Sequence, residues 1–323
     1  MTTAQPPLVG IPEAPVPAGA EPAWIAGAGG ARLRAALFAP AAGAPIRGSV
    51  VLSGGRTEPI EKYFETIGEL SARGFWVLAH DWRGQGLSER LLPDRLKGHA
   101  AGYQTFLDDY RALLDAYEAR LPRPWIAVGH SMGGCLTLLA LAEGETRFSA
   151  AFLSAPMLGL LTGGIPLPVG KALASLFTGF GGGVGQVQGR SSPIWSEFKD
   201  NVLTHDPARY ARNRAQVDAC PDLALGGPTW GWLDFAFKAM GVLQTGPGVT
   251  RIAIPVVVLG AGDDRLVDIA MQRRVTARVP GAKFVEFPGA FHELFQETDD
   301  VRARVWTEFD ALAEAVSPAM QPA

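Results

Sequence analysis

The 323-residue chain has little of what most specialised chemistries need: two cysteines, five histidines and a formal net charge of only -3. Cys135 and Cys220 are too few for a disulfide framework, and Cys135 sits in an apolar stretch where a small buried residue is the ordinary reading, so no redox or metal role is expected. The 29 basic and 32 acidic residues are interspersed, which leaves no field to gather nucleic acid or anionic headgroups and suits a substrate neutral or zwitterionic at its reacting end. Phe148 to Gly170 carries no charge and is long enough to span a bilayer. Pro156, Pro166 and Pro168, with Gly159, Gly163 and Gly164, would break such a helix, so no membrane span is expected. The start lacks the basic residues and apolar core of a signal peptide, and holds Pro6, Pro7, Pro12, Pro15, Pro17 and Pro22 instead. Residues 1–24 therefore read as a loose Pro-rich leader on a cytoplasmic protein. No repeat of solenoid or propeller spacing is present, and no Gly-Lys-Ser/Thr step follows any Gly-rich loop, which excludes a phosphate-cradling nucleotide site.

What the chain does have is Gly129-His130-Ser131-Met132-Gly133-Gly134, placed after the apolar run Trp125 to Val128 and before the small-residue stretch Cys135 to Leu141. This is strand, sharp turn and helix, with serine at the apex. Glycines two before and two after Ser131 permit a turn tight enough to project the hydroxyl above a sheet as a nucleophile.

Short apolar runs alternate with helical patterns around this motif, which predicts a mostly parallel sheet covered on both faces. The expected strands are Arg32 to Phe38 (antiparallel), Ser49 to Leu52, Phe75 to Ala79, Trp125 to Val128, Ala150 to Leu153, a continuous buried run Ile252 to Leu259, and Lys283 to Phe287. Ile60 to Arg73, Gly102 to Arg120, Met132 to Ala142, Asp268 to Val279 and Asp300 to Ala315 read as the covering helices. The alternation is interrupted after Ser154. The expected division is an α/β core over 25–155 and 246–317, with an insertion over 156–245 rich in glycine, proline and aromatics. Pro207 to Val217 and Leu233 to Gln244 look helical within it. Its apolar content, including Met157, Leu158, Leu160, Phe177 and Phe180, suits a mainly helical lid over a hydrophobic slot.

A serine nucleophile needs a base and an acid to orient it, in the chain order Ser, Asp, His after an elbow of this kind. Of His80, His99, His130, His205 and His292, only His292 follows a late strand through a short small-residue loop, Pro288 to Phe291. His130 projects away from the serine, and His80 ends a strand where it organises the next loop. Asp264 is chosen as the acid over Asp263, because it precedes the Arg265-Leu266-Val267 step after the late strand, while Asp268 sits where a helix cap would. Two N–H donors must meet the oxyanion: Met132, directly after the nucleophile, and Arg56 in the loop Ser53 to Glu58. The residues expected to face substrate are Gly55 and His130 beside the serine, Leu158, Phe177 and Trp230 in the insertion, and Phe291 before His292.

With these residues in place, the chain resembles the α/β-hydrolase superfamily, and within it the monoacylglycerol lipase and bacterial lysophospholipase group, from about Gly48 to Ala315. The motifs that carry the resemblance are Gly129 to Gly134, His80-Asp81-Trp82-Arg83-Gly84-Gln85-Gly86, Asp264 to Asp268 and Phe291-His292-Glu293. Asn201 to His205 and Gly226 to Thr229 resemble the lysophospholipase branch. The chain departs from the lipase branch where His-Gly would open the oxyanion loop, since it has Gly54-Gly55-Arg56. The resemblance implies a hydrolase of single-acyl lipid esters that works through an acyl-serine intermediate, without a cofactor, with peripheral contact of the lid with the inner membrane left open. Competing readings are a small-ester or amide hydrolase of the same fold, for which Glu197 and Asp200 would be the amine-binding pair, a non-catalytic binding module, and acyl transfer to an alcohol.

Overall fold

The computed structural model describes residues 4–187 and 196–317. Eight strands form one sheet in the order β1-β2-β4-β3-β5-β6-β7-β8. They are β1 (Glu21–Ala26), β2 (Arg32–Phe38), β3 (Gly48–Ser53), β4 (Phe75–His80), β5 (Trp125–His130), β6 (Ala150–Ser154), β7 (Val256–Ala261) and β8 (Lys283–Phe287). β3 to β8 run parallel to one another; β2 pairs antiparallel with β4, and β1 antiparallel with β2. Strands buried on both faces read as unbroken apolar runs, as in Val50-Val51-Leu52 and Val256 to Leu259.

Alternate residues of each strand feed opposite layers. Val51, Ala127 and Leu153 pack with helices α2 (Gln104–Tyr117), α3 (Ser131–Ala142) and α6 (Trp230–Thr245). Val50, Leu52, Ile126, Val128 and Phe152 pack with α1 (Phe64–Ala72) and α8 (Asp299–Val316). α3 is buried on every side from Met132 to Ala142, which is why it carries no polar face. The remaining helices are α4 (Leu167–Gly179), α5 (Pro207–Ala219) and α7 (Ile269–Thr276).

Four expectations need correction. The leader is not loose from residue 4 onward: Glu21–Ala26 pairs with β2, Pro7 O accepts from Arg34 Nη1 at 3.0 Å, and Val9 N–H donates to Glu61 at 3.1 Å. Pro22 is compatible with that strand because β1 lies at the sheet edge. The run from Ile252 becomes strand only at Val256, since residues 248–251 form a 3-10 turn and Pro255 has no N–H to give a ladder. α4, unanticipated in a Gly- and Pro-rich stretch, starts with Pro168 in its first turn, where the missing N–H costs nothing. Within 156–245, α6 is as much core as insertion: Phe235, Ala236, Ala239, Met240 and Leu243 are buried in one cluster with α3. Residues 188–195 of that insertion lie outside the described residues.

Candidate functional site

The turn between β5 and α3 places Ser131 at φ +49°, a conformation that costs a side-chain-bearing residue about 1–3 kcal/mol. Thr57 (φ +65°) and Ala155 (φ +40°) share it, so the strained non-glycine residues follow β3, β5 and β6 at their carboxyl ends. Glycine at 133 is a steric requirement. A Cβ there would strike the main-chain oxygens of Ser53 and Gly54, so the elbow and the loop after β3 touch backbone to backbone.

That loop is held from three sides. Glu58 Oε2 accepts the Gly55 N–H and, at 2.5 Å, the Tyr63 hydroxyl; Gln85 Oε1 accepts the Thr57 N–H at 2.7 Å; Trp82 Nε1 donates to Gly54 O at 2.9 Å. With Gly55 and Thr57 engaged, the Arg56 N–H is the one at residues 55–57 left without an acceptor among the described residues. Met132 N–H lies in the first turn of α3, where no intrahelical acceptor exists and no side chain caps.

His292, buried on the loop after β8, sets Nδ1 2.6 Å from Asp264 Oδ2. Asp264 holds its own loop through Oδ1, which accepts the N–H groups of Leu266 (2.8 Å) and Val267 (3.0 Å). Burial opposes its charge, but His292 and these two donors outweigh it and hold the carboxyl below its usual range. Asp263, by contrast, is exposed, and Asp268 caps α7 through Ala270 and Met271.

The expected substrate-facing residues divide. Gly55 lies in the loop after β3, where a Cβ would come 2.7 Å from Glu58 Oε2 and 3.1 Å from His130 Nδ1. Phe177 of α4 stacks on Trp230 of α6 with centroids 4.6 Å apart. Phe291 is covered by His205, whose ring stacks 3.8 Å away. Leu158 is corrected to core, being fully buried in the α3 and α6 cluster. His130 is also corrected: Nδ1 lies 2.9 Å from Glu58 and Nε2 3.2 Å from the main-chain oxygen of His292, so both nitrogens are engaged inside the protein. His80 meets the Ser53 hydroxyl at 3.0 Å, and burial lowers its pKa to about 4, which keeps it neutral.

Sequence reasoning missed the struts around the His292 loop. Glu297, fully buried, accepts the N–H groups of Phe291 and His205 and meets the His205 ring at 2.8 Å. Glu293 N–H donates to Leu203 O at 2.9 Å, and the Thr204 hydroxyl to Gln296 O at 2.6 Å. The Asn201 to His205 stretch thus braces the loop that carries His292. Its only signal in the sequence was the motif itself.

Sheet order, layers and the positive-φ serine after β5 define an α/β hydrolase. The chain belongs to the family described as serine aminopeptidase, S33, whose model matches residues 44–299. It is 34% identical to Lysophospholipase L2 of Escherichia coli over 271 residues, covering 79% of this chain and 76% of that protein. It is 28% identical to the Monoacylglycerol lipase of Mycolicibacterium smegmatis over 281 residues, 85% of this chain and 91% of that one. In structure it is similar to a soluble variant of monoglyceride lipase from Saccharomyces cerevisiae, with a TM-score of 0.75 at 19% identity, covering 98% and 99% of the two chains. That likeness concerns the fold.

Proposed function

We propose that this protein is a serine carboxylic-ester hydrolase of single-acyl lipids, monoacylglycerol or lysophospholipid. The observation that carries the reading is the Asp264–His292 pair at 2.6 Å, on loops at the carboxyl ends of β7 and β8, as the Ser131 elbow is at the carboxyl end of the parallel strand β5. Ser131 attacks the ester carbonyl while His292 takes its proton, and Asp264 holds the imidazole in the useful tautomer and stabilises the imidazolium. The Met132 and Arg56 N–H groups receive the oxyanion, each typically worth ~10²–10³ in rate. His292 returns the proton to the leaving alcohol; water then hydrolyses the acyl-serine by the same route. The similarity to lysophospholipase and monoacylglycerol lipase sequences supports the lipid class. An amide substrate with a free amine is not favoured, because Glu197 and Asp200 are solvent-exposed.

The insertion serves as the lid, with the acyl chain beneath it. Leu161, Ile165, Val169, Leu176, Phe177 and Phe180 leave large apolar surface in water, and Phe180 is 86% exposed. Such a face suits peripheral contact with a bilayer. Among the described residues no helix is long and apolar enough to cross one.

The test is hydrolysis of monoacylglycerol, lysophosphatidylcholine and short p-nitrophenyl esters side by side, with Ser131→Ala as the blank. Ser131-dependent turnover of the single-chain lipids is expected. Turnover confined to short esters would remove the lipid substrate while keeping the chemistry.

A further inference from the structure

Arg56 leaves the oxyanion loop and runs beneath the insertion. Its Nη2 donates to Gly226 O, its guanidinium lies 5.3 Å from the Trp232 ring centroid, and it packs against Gly98. Nε is buried and has no acceptor. No Asp or Glu pairs with this guanidinium among the described residues, and residues 1–3, 188–195 and 318–323 contain neither. Burial alone therefore lowers its pKa, to about 10.

The other buried arginines are treated differently. Arg34 has Glu61 and Asp81, Arg302 has Glu69, and Arg209 has Glu65 and Asp206. Arg90 also lacks a carboxylate at hydrogen-bond distance and has a buried Nε without an acceptor, but its two Nη groups donate to four carbonyls, those of Gly84, Gly86, Asp222 and Ala224. Arg56 has one carbonyl and no carboxylate. Arg90 and Arg95 also hold the segment just before Gly226, where Arg95 is paired with Asp222 at 3.3 Å.

A half-buried guanidinium whose Nε is buried without an acceptor, and which has no counter-charge, is completed by an anion that arrives with a ligand. We propose that the Arg56 side chain receives the phosphodiester of a lysophospholipid substrate, an assignment that rests on the ester-hydrolase reading above. The main-chain N–H of the same residue faces the developing oxyanion in that reading. Glycerol separates an sn-1 ester oxygen from phosphorus by about as many bonds as separate Arg56 Cα from its guanidinium carbon. One residue thereby spans both ends of the polar part of the substrate. The planar guanidinium offers a pair of N–H donors matched to phosphate oxygens. Monoacylglycerol brings no charge to this position.

The experiment measures kcat/KM for lysophosphatidylcholine and for monoacylglycerol of the same acyl chain in the wild type, Arg56→Gln and Arg56→Lys. The expected result is a fall of about tenfold to a hundredfold in the lysophospholipid-to-monoacylglycerol ratio for Arg56→Gln, with a smaller fall for Arg56→Lys. An unchanged ratio, whether both activities fall or neither does, would make Arg56 a strut for the insertion and overturn the proposal. A wild-type measurement stands if the variants do not fold: protection of Ser131 from a fluorophosphonate probe by sn-glycero-3-phosphocholine, by glycerol and by inorganic phosphate. Protection by glycerophosphocholine alone supports the headgroup site. Equal protection by inorganic phosphate assigns the site to free phosphate, and no protection removes it; either overturns the headgroup proposal. Absence of lipid turnover with protection intact would strike the lipid-hydrolase reading and leave the anion site standing.

Discussion

Nε2 of His130 lies 3.2 Å from the main-chain oxygen of His292, while its Nδ1 lies 2.9 Å from Glu58 Oε2. A carbonyl only accepts, and so does an ionised carboxylate, so both ring nitrogens donate and His130 is an imidazolium. Burial works against that charge, but Glu58 and then Glu293 outweigh it and raise the His130 pKa. Glu58 also takes the Gly55 N–H and meets Lys62 at 2.9 Å, and Lys62 continues to Glu293 at 2.5 Å. One buried network thus ties the oxyanion loop, the serine elbow and the histidine loop together.

The network makes stability depend on alkaline pH. A raised folded-state pKa means that the His130 contribution is complete below its unfolded value near 6.5 and is lost as pH rises through the folded value. Glu58→Gln removes the largest stabilising charge. Urea midpoints measured from pH 6 to 10 should decline for the wild type only above pH 6.5, and the step should move toward 6.5 or disappear in the variant. The variant should also lose about 3 kcal/mol at pH 7, since its removal leaves buried charge uncompensated. A wild-type midpoint flat across this range would refute the imidazolium.

Asp264→Asn should act on catalysis far more than on folding. The Leu266 and Val267 N–H groups bond Oδ1, and an amide oxygen can keep both. An amide NH₂ toward His292 Nδ1, however, imposes the wrong tautomer, which costs on the order of 10⁴ in kcat. Steady-state kinetics paired with thermal unfolding would read this. A loss below tenfold would assign the acid to another residue.

Ser131 separates strain from chemistry. Alanine and glycine both remove the nucleophile, so both should lose at least ~10⁴ in kcat/KM. Only glycine relaxes φ +49°. Ser131→Gly should therefore unfold about 1 kcal/mol later than Ser131→Ala, despite glycine's usual penalty at a helix start. Equal urea stabilities would mean that the elbow stores no strain.

The sheet was legible because its central strands are continuous apolar runs bounded by glycine and polar turns, and such runs have few other places to go. Ser131, Asp264 and His292 were expected to form the site because each follows such a strand; the structure brings Asp264 and His292 together at 2.6 Å, and the catalytic roles are those we propose. What sequence could not supply were pairings across long stretches of chain. His130 was expected beside substrate, yet its partners are Glu58 and the carbonyl of His292, which no local pattern links. Leu158 was placed in the slot because apolar residues in an insertion and in a core look alike. β1 and the ordered leader were hidden by six prolines, since the contacts that hold Pro7 and Val9 come from Arg34 and Glu61.

Arg34 makes the last prediction. It is fully buried within β2, bonded to Glu61 through Nη1 and Nη2 at 2.7 and 2.6 Å and to Asp81 through Nε at 2.7 Å. Asp81 meanwhile accepts the N–H groups of Ile60 and Leu87, so the Asp81 to Ser88 loop, the Ile60 turn and the leader converge on one guanidinium. Arg34→Ala would strand two buried carboxylates and should cost about 3–5 kcal/mol in urea denaturation at pH 7. A variant as stable as the wild type at pH 7 would show that the leader and the Asp81 loop are held by packing, with the ion cluster contributing nothing of its own.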